Sequence, residues 1–101
     1  MTAYMIFLRE GPIHDAHAME EYQRKNRENI PNFPVKPKPL VAYGAMEGVE
    51  GSAPDGVVML EFDSVEDAKT WYNSDAYQEA LPGRLKAADY RAFIVEGLPQ
   101  G

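Results

Sequence analysis

Residues 57–77, VVMLEFDSVEDAKTWYNSDAY, predict a strand, a tight helix start and an aromatic-rich helix in one uninterrupted piece. Side chains alternate along a strand, so Val57–Phe62 has one wholly apolar face and a second face that is apolar except for Glu61. The chain becomes polar at Asp63, where the strand is expected to end. The elements before and after this segment are expected to pack against it and to complete the domain.

The helix after this strand carries its own start signal. Ser64 is the expected N-cap, because its hydroxyl can accept a hydrogen bond from a free amide of the first turn. Asp67 favours the same start, since a carboxylate suits the positive end of the helix dipole. The helix is expected to turn one apolar stripe toward the core, with Trp71 beside this stripe. Ser74 is expected to begin a short second turn.

The composition is that of one acidic domain, residues 1–101, with 45% hydrophobic residues to form a single core. The chain has no cysteine, which excludes disulfides and Cys-held zinc or iron–sulfur clusters and agrees with a cytoplasmic location. Its net charge of −6 disfavours nucleic acid and anionic membranes as partners. The opening residues, MTAYMIFLREGP, predict a first strand rather than a signal peptide or membrane span.

The first strand is expected over Ala3–Arg9, with apolar residues on both faces, and Gly11-Pro12 is expected to end it. A helix with one apolar and one charged side should then begin near His14 or Asp15 and end near Asn29. These two elements form the first half of the predicted domain.

Residues 31–39, PNFPVKPKP, contain four prolines and predict an extended linker on the surface. The second strand is expected over Leu40–Val49, with a bend or bulge at Gly44. Residues 50–56 then predict a hairpin loop into the third strand.

The end of the chain is expected to contain a stop, a turn and a last strand. Leu81-Pro82-Gly83 should end the second helix, Arg84–Ala88 should form a short turn, and Tyr90–Glu96 should be the fourth strand. The order β-α-β-β-α-β is the ferredoxin-like arrangement, an α+β fold with a four-stranded antiparallel sheet.

The two faces of this sheet predict a homodimer. Two helices can cover only one face of a four-stranded sheet, yet strands one, three and four are apolar on both faces. Soluble monomers seldom expose an apolar patch of that size. We therefore expect two copies to pack sheet against sheet.

RNA-recognition domains share this topology, so the third strand can be compared directly with their RNA-binding pattern. Their third strand carries a basic residue, a glycine and then alternating aromatic residues on which bases stack. The corresponding positions here are Asp55, Gly56, Val57 and Met59. The pattern therefore excludes this mode of RNA binding.

Residues 60–78 and 81–97 resemble the signature of DUF1330, a family of small proteins of unassigned function. The family pattern is a strand ending E-F-P-S, a helix ending A-W-Y-N-S-x-x-Y, an arginine seven residues later and a last strand ending V-E-G. The matching residues are Glu61-Phe62, Ser64, Trp71-Tyr72-Asn73-Ser74, Tyr77, Arg84 and Val95-Glu96-Gly97, with further agreement at Ala3-Tyr4 and Glu20-Glu21-Tyr22.

The resemblance implies a dimeric α+β barrel, ferredoxin-like in each subunit and related to antibiotic-biosynthesis monooxygenase-like barrels. One region departs from the family. Members commonly read G-G-R-F-L-V-R-G-G around the second strand, whereas residues 37–45 here read PKPLVAYGA and contain neither arginine. If those arginines hold an anionic ligand, this chain lacks that part of the site or binds something else.

Arg84 and Glu61 are candidate catalytic residues. A guanidinium at position 84 could hold a carboxylate or enolate oxygen through paired hydrogen bonds. The alternative is a structural role, either in an ion pair with Glu61, Asp89 or Glu96 or as a positive charge at a helix C-terminus. If a dimer encloses Glu61, desolvation would raise its pKa and make it a general base; otherwise it is solvated or paired with an arginine.

His14, Asp15 and His17 form an H-D-x-H pattern near a helix start. Two histidines three residues apart share a helical face and could bind a metal, but no third ligand is evident, so no metal site is predicted. His17 remains a candidate general base if it points into a cavity.

Tyr4, Tyr43, Trp71 and Tyr77 are candidate ligand-binding residues. Their rings could line an amphipathic pocket, with hydroxyls to orient a small cyclic ligand. The alternative is packing in the core or at the dimer interface, where Tyr and Trp are also enriched.

Two functions remain open. In the first, the protein binds or transforms a small organic molecule without metal or cofactor: Arg84 holds an anionic oxygen, Glu61 or a histidine moves a proton, and tyrosines position the ring. By fold analogy, such an enzyme would be a cofactor-independent monooxygenase-like or isomerase-like protein. In the second, the protein is a non-catalytic structural or interaction dimer without a ligand site. A cavity with a polar cluster favours the first, and a filled interior favours the second.

Overall fold

The computed structural model describes residues 1–99. Its elements in chain order are β1 (Ala3–Ile13), α1 (Ala16–Asn29), a 3-10 turn (Ile30–Asn32), β2 (Lys38–Ala42), β3 (Gly56–Phe62), α2 (Val65–Tyr72), α3 (Asp75–Ala87) and β4 (Ala88–Glu96). The strands form one four-stranded antiparallel sheet in the order β2-β3-β1-β4. The predicted ferredoxin-like α+β fold is confirmed.

The sheet has one face covered by the helices and one that none of them covers. On β1, Met5 and Phe7 are buried and pack in the same core as Trp71 of α2 and Leu81 of α3. The intervening Ile6 lies on the opposite face, as alternation along a strand requires. This division decides which predicted site residues can meet.

The three α-helices begin where polar side chains cap them. Asp15 Oδ1 accepts a hydrogen bond from the backbone amide of Ala18 at 3.0 Å, and Ser64 Oγ accepts one from Asp67 at 3.0 Å. Ser74 caps the third start, but α3 is a helix of 13 residues rather than the predicted short turn. The cap was therefore recognised correctly and the helix length was not.

The break predicted at residues 81–83, and with it the separate turn over 84–88, is wrong, because α3 continues through both to residue 87. Proline removes one helical hydrogen bond, here the bond to the carbonyl of Gln78. Pro82 and Gln78 are both exposed, so water can satisfy that carbonyl. Gly83 allows α1 to approach closely, since a Cβ at this position would lie 2.9 Å from a backbone oxygen of α1. Helix packing thus outweighs the local breaking signal.

Strand boundaries near the glycine- and proline-containing segments also differ from the prediction. β1 does not end before Gly11-Pro12 but reaches Ile13, with a register shift between Arg9 and Ile13. Gly11 has φ 108°, a left-handed conformation that glycine adopts without steric cost. The glycine therefore bends the strand instead of ending it. β4 begins two residues earlier than expected, at Ala88.

β2 is Lys38–Ala42 and not the predicted Leu40–Val49. Pro39 fits within it because β2 is an edge strand, where a missing amide is tolerated, and the pairing with β3 is irregular just after this residue. Residues 43–55 contain no helix or strand, so the connection to β3 is longer than the expected loop. Within the described part of the chain, no helix is long and apolar enough to cross a lipid bilayer.

Candidate small-molecule site

A cavity of about 250 Å³ lies between the helix-covered face of the sheet and α1. Its wall includes residues of β1, α1, β3, α2, α3 and β4, and the proline-rich segment contributes Phe33 and Pro37. The wall is rich in aromatic rings, which come from Phe7, Tyr22, Phe33, Tyr43, Trp71 and Tyr90. At the exposed rim, Arg27 of α1 adds a positive charge.

Arg84 is a buried cation in this wall. It is 4% exposed, and its guanidinium carbon lies 4.9 Å from the ring centre of Tyr90, 5.2 Å from Phe7 and 5.9 Å from Tyr22. Aromatic faces attract a cation, but they supply no full negative charge. No ion pair between residues 1–99 includes Arg84. The predicted ion pair with a carboxylate is therefore not formed, whereas the other structural alternative, a charge at a helix C-terminus, matches the position of Arg84 in the last turn of α3.

Three buried polar atoms of the wall residues lack a hydrogen-bond partner. They are Nε of Arg84, Nε1 of Trp71 and Oδ1 of Asn26. Leaving a buried polar atom unpaired costs about 1–3 kcal/mol, and buried polar groups are paired in most native structures. These two donors and one acceptor belong to wall residues, but the atoms themselves are buried and have almost no surface of their own on the cavity.

Two hydrogen-bonded tyrosine pairs lie at or just behind the cavity wall. The hydroxyl oxygens of Tyr22 and Tyr77 are 3.0 Å apart, and those of Tyr43 and Tyr90 are 2.6 Å apart. Burial, reinforced by the neighbouring hydroxyl, raises the pKa of Tyr22 and the pKa of Tyr43. Tyr22 and Tyr43 are thus neutral phenols at neutral pH, and two hydroxyls that share one hydrogen bond leave a second proton for a third group.

The electrostatics of the cavity favour an anion. Burial acts to lower the pKa of Arg84, but the hydroxyls of Tyr77 and Tyr22 outweigh it and the pKa lies above its ordinary value. The guanidinium therefore remains charged. The described residues that line the cavity include no carboxylate and no imidazole. A ligand there meets a cation and hydrogen-bond donors, but no side chain that acts as a general base near neutral pH.

The family model described as a domain of unknown function, DUF1330, matches residues 2–98. The chain belongs to the DUF1330 family. The match spans nearly the whole chain and confirms the resemblance read from residues 60–97. No curated protein matches the sequence.

Solved structures share the fold of this DUF1330 protein. A dimeric ferredoxin-like protein of unknown function from Thermobifida fusca is 16% identical, with 94% of this chain and 90% of that chain covered and a TM-score of 0.63. A dimeric protein of unknown function with a ferredoxin-like fold from Bacteroides fragilis is 12% identical, with 95% and 96% covered and a TM-score of 0.62. A provisionally named antibiotic biosynthesis monooxygenase from Nitrosomonas europaea is 16% identical, with 99% and 94% covered and a TM-score of 0.59.

The DUF1330 fold brings three of the predicted site residues to the cavity: Arg84, Trp71 and Tyr43. Tyr77 lies behind the wall, fully buried, with its ring centre 4.3 Å from that of Trp71. It therefore supports the wall residue Trp71 and, through its hydroxyl, Tyr22.

Tyr4 and Glu61 lie on the other side of the sheet. They are direct cross-strand partners, and such partners share a face. Their neighbours Met5 and Leu60 are buried toward the helices, so the sheet itself separates Glu61 from Arg84. The structure therefore places Glu61 beside the predicted dimer face rather than in the Arg84 cavity.

His14 and His17 also lie away from the cavity. His17 is exposed on α1, and His14 is exposed with Nε2 3.6 Å from a carboxylate oxygen of Asp89. Within residues 1–99, no group of three or more His, Cys, Asp or Glu side chains is arranged to hold a metal ion.

Sequence reasoning missed several wall residues, above all Tyr22, Asn26, Phe33 and Tyr90. Phe33 was assigned to a surface linker, yet its ring packs edge-on at 5.7 Å from Trp71. One signal was present: an aromatic residue among prolines is unusual for a solvated linker. Nothing in the sequence indicates that Tyr90 and Tyr43 lie within hydrogen-bond distance of each other.

Proposed function

We propose that this DUF1330 protein binds a small organic anion with a compact apolar body in the Arg84 cavity. The observation that carries the proposal is the buried guanidinium, 4% exposed, which has no carboxylate partner among the described residues. Removing a charge from water without a partner is costly, and a bound carboxylate or enolate would supply the missing countercharge. The proposal requires neither metal nor cofactor.

The size of the cavity limits the ligand. An apolar cavity of about 150 Å³ binds benzene, and this one measures about 250 Å³. It therefore has room for a six-membered ring with a carboxylate and further substituents. The aromatic wall suits the ring, and the Nε–H of Arg84 with the Nε1–H of Trp71 suits the anionic oxygens.

Binding is better supported than acid–base catalysis. The proposed roles of Glu61 and His17 as proton carriers stay predictions, since both lie away from Arg84. A cofactor-independent monooxygenase-like or isomerase-like reaction likewise stays a prediction, because the Nitrosomonas europaea neighbour shares the fold at only 16% identity. Such a reaction would need a base that the wall residues do not provide.

We further propose that the protein is a cytoplasmic homodimer joined through the uncovered sheet face. Val41, Met59, Ile6 and Phe93 form one apolar row across all four strands on that face. Phe93 is 42% exposed and Val95, near it on β4, is 44% exposed. The Thermobifida fusca and Bacteroides fragilis neighbours, both described as dimeric, support a dimer.

Calorimetric titration with three matched compounds tests the ligand proposal: cyclohexanecarboxylate, cyclohexylmethanol and cyclohexylmethylamine. They share a ring and differ in charge. We expect the carboxylate to bind at least about tenfold more tightly than the alcohol, which corresponds to about 1.4 kcal/mol, and the amine to bind most weakly.

Arg84→Met should abolish the preference for the carboxylate. The control is Arg91→Met, because Arg91 is an exposed arginine whose Nη2 lies 2.8 Å from Glu10 outside the cavity. Equal binding of the three compounds, or an unchanged preference in Arg84→Met, would contradict the proposal and favour a structural or interaction dimer without a ligand site.

A further inference from the structure

A second cavity of about 240 Å³ adjoins the Arg84 cavity. We call it the outer cavity; Arg9, Ile13, Met19 and Asp55 contribute to its wall. Tyr43, Tyr90 and Gln23 line both cavities. The hydrogen-bonded pair of Tyr43 and Tyr90, with its oxygens 2.6 Å apart, therefore forms part of the wall between them.

We infer that the two cavities are the halves of one site for an elongated ligand, and that Tyr43 is the movable part of the wall between them. The anionic end of this ligand lies at Arg84, and its other end carries a neutral hydrogen-bond acceptor for Arg9. The inference rests on the proposed function and specifies the class of ligand.

The distribution of unpaired polar atoms is the first support. The described residues contain four buried side-chain N or O atoms without a hydrogen-bond partner: Arg9 Nε, Asn26 Oδ1, Trp71 Nε1 and Arg84 Nε. Three belong to wall residues of the Arg84 cavity and the fourth to a wall residue of the outer cavity. Unpaired buried atoms are exceptional in native proteins, and here all four belong to residues that line one of two adjoining cavities, which favours one ligand that spans both and reaches these atoms through small side-chain movements.

The charges of the outer cavity specify the second end of the ligand. Arg9 donates from its two terminal nitrogens to the backbone oxygens of Gly11 and Asp55, each at 2.9 Å, which leaves Nε unpaired. The carboxylate of Asp55 accepts from the backbone amide of Gly11 at 2.6 Å and belongs to the same wall. The guanidinium and the carboxylate offset each other's charge there, so a neutral acceptor fits better than a second anion.

Tyr43 is better placed to move than Tyr90. Tyr90 belongs to β4 and pairs with Arg9 of β1, whereas Tyr43 follows the last residue of β2 and begins the loop 43–55. Tyr43 has φ 56°, the only positive φ of a non-glycine residue in residues 1–99, and is 43% exposed. Its backbone amide donates to the oxygen of Val57 at 2.8 Å, so a movement of Tyr43 is a rotation of the side chain away from Tyr90 rather than a displacement of the backbone.

The test uses two elongated carboxylates of equal shape, 4′-acetylbiphenyl-4-carboxylate and 4′-ethylbiphenyl-4-carboxylate, with cyclohexanecarboxylate as the short probe. Only the acetyl compound carries an acceptor at its far end. We expect the unmodified protein to bind the acetyl compound at least about fivefold more tightly than the ethyl compound. Arg9→Met should remove that difference and leave the affinity for cyclohexanecarboxylate unchanged.

Tyr43→Ala should raise the association rate of both elongated compounds severalfold; an unchanged association rate would overturn the role of Tyr43 as the movable part of the wall. Equal binding of the acetyl and ethyl compounds by the unmodified protein would overturn the two-cavity inference. If Arg84→Met still abolished carboxylate binding in that case, the proposed function would stand without it. If no carboxylate bound at all, both would fail.

Discussion

At the scale of single residues, Arg84 is the most informative side chain. A charge kept in an apolar interior needs compensation, and here three aromatic rings supply only part of it. Arg84 could be identified as a candidate site residue from the sequence, because the family pattern carries an arginine seven residues after Tyr77. Its lack of a carboxylate partner was not predictable, because that depends on how α3 packs against the sheet.

The ligand-free stability of Arg84→Met distinguishes a ligand-binding arginine from a structural one. Methionine keeps apolar contact with the rings and removes the desolvation cost of an unpaired charge. We expect the free energy of unfolding in urea to stay within about 1 kcal/mol of the unmodified protein, or to rise. A loss of about 3–5 kcal/mol, typical of a broken buried ion pair, would show that Arg84 has a structural partner instead.

The pair of Tyr22 and Tyr77 predicts a loss of stability in alkali. Burial raises the folded-state pKa of both hydroxyls above the unfolded value of about 10. Above that pH the unfolded chain releases protons that the folded chain retains, so stability is full below about pH 10 and falls above it. Urea midpoints at about pH 8 and pH 11 should differ less in Tyr22→Phe/Tyr77→Phe than in the unmodified protein. Tyr4→Phe, on the opposite face, should show the same difference between the two urea midpoints as the unmodified protein. The same difference in all three proteins would contradict the prediction.

At the scale of elements, local sequence signals predicted whether a segment is a helix or a strand better than they predicted its length. The caps at Ser64 and Asp15 act over three residues, so they could be recognised in the sequence. The continuation of α3 through Pro82-Gly83 depends on contact with α1, and the residues of α1 are distant from Pro82-Gly83 in the sequence. The same reason explains the proline-rich segment, whose Phe33 becomes part of the cavity wall only through contact with Trp71.

Gly83→Ala tests the close approach of α3 and α1. Alanine favours a helix, but its Cβ would lie 2.9 Å from the carbonyl oxygen of Ala18 and 3.3 Å from Cβ of Tyr22. We expect overpacking to win and to lower the free energy of unfolding by about 1–3 kcal/mol. Gly44→Ala is the matched control, since nothing lies within 4 Å of a Cβ there. Equal stability of the two variants would show that the helices are not in close contact at this point.

At the scale of the whole molecule, one sheet separates two surfaces with different surroundings. The helix-covered face forms the core and the cavity, and the other face carries the apolar row around Ile6. The alternation that predicted the second surface is local to each strand and could be read from the sequence. The cavity is assembled from six elements of the chain and could not.

Ile6→Lys tests the homodimer. Ile6 is central in the row, with Met59 and Phe93 as its cross-strand partners, and a buried lysine there would have no countercharge from either neighbour. By sedimentation velocity, we expect the unmodified protein to be a dimer and the variant to be a folded monomer. Thr70→Lys, an exposed position on α2, should remain a dimer. A monomeric unmodified protein, or a dimeric Ile6→Lys, would contradict the proposed interface.

The most direct test of ligand binding at Arg84 uses the single tryptophan of the chain. Trp71 lines the cavity and its indole Nε1–H is buried without a partner, so one indole signal in a ¹H–¹⁵N spectrum reports on the site. Titration with cyclohexanecarboxylate should move that signal downfield and saturate, as an anionic oxygen accepts the hydrogen bond, and Arg84→Met should prevent the shift. A signal that stays in place at saturating carboxylate would show that no anion reaches the buried donors and would contradict the account.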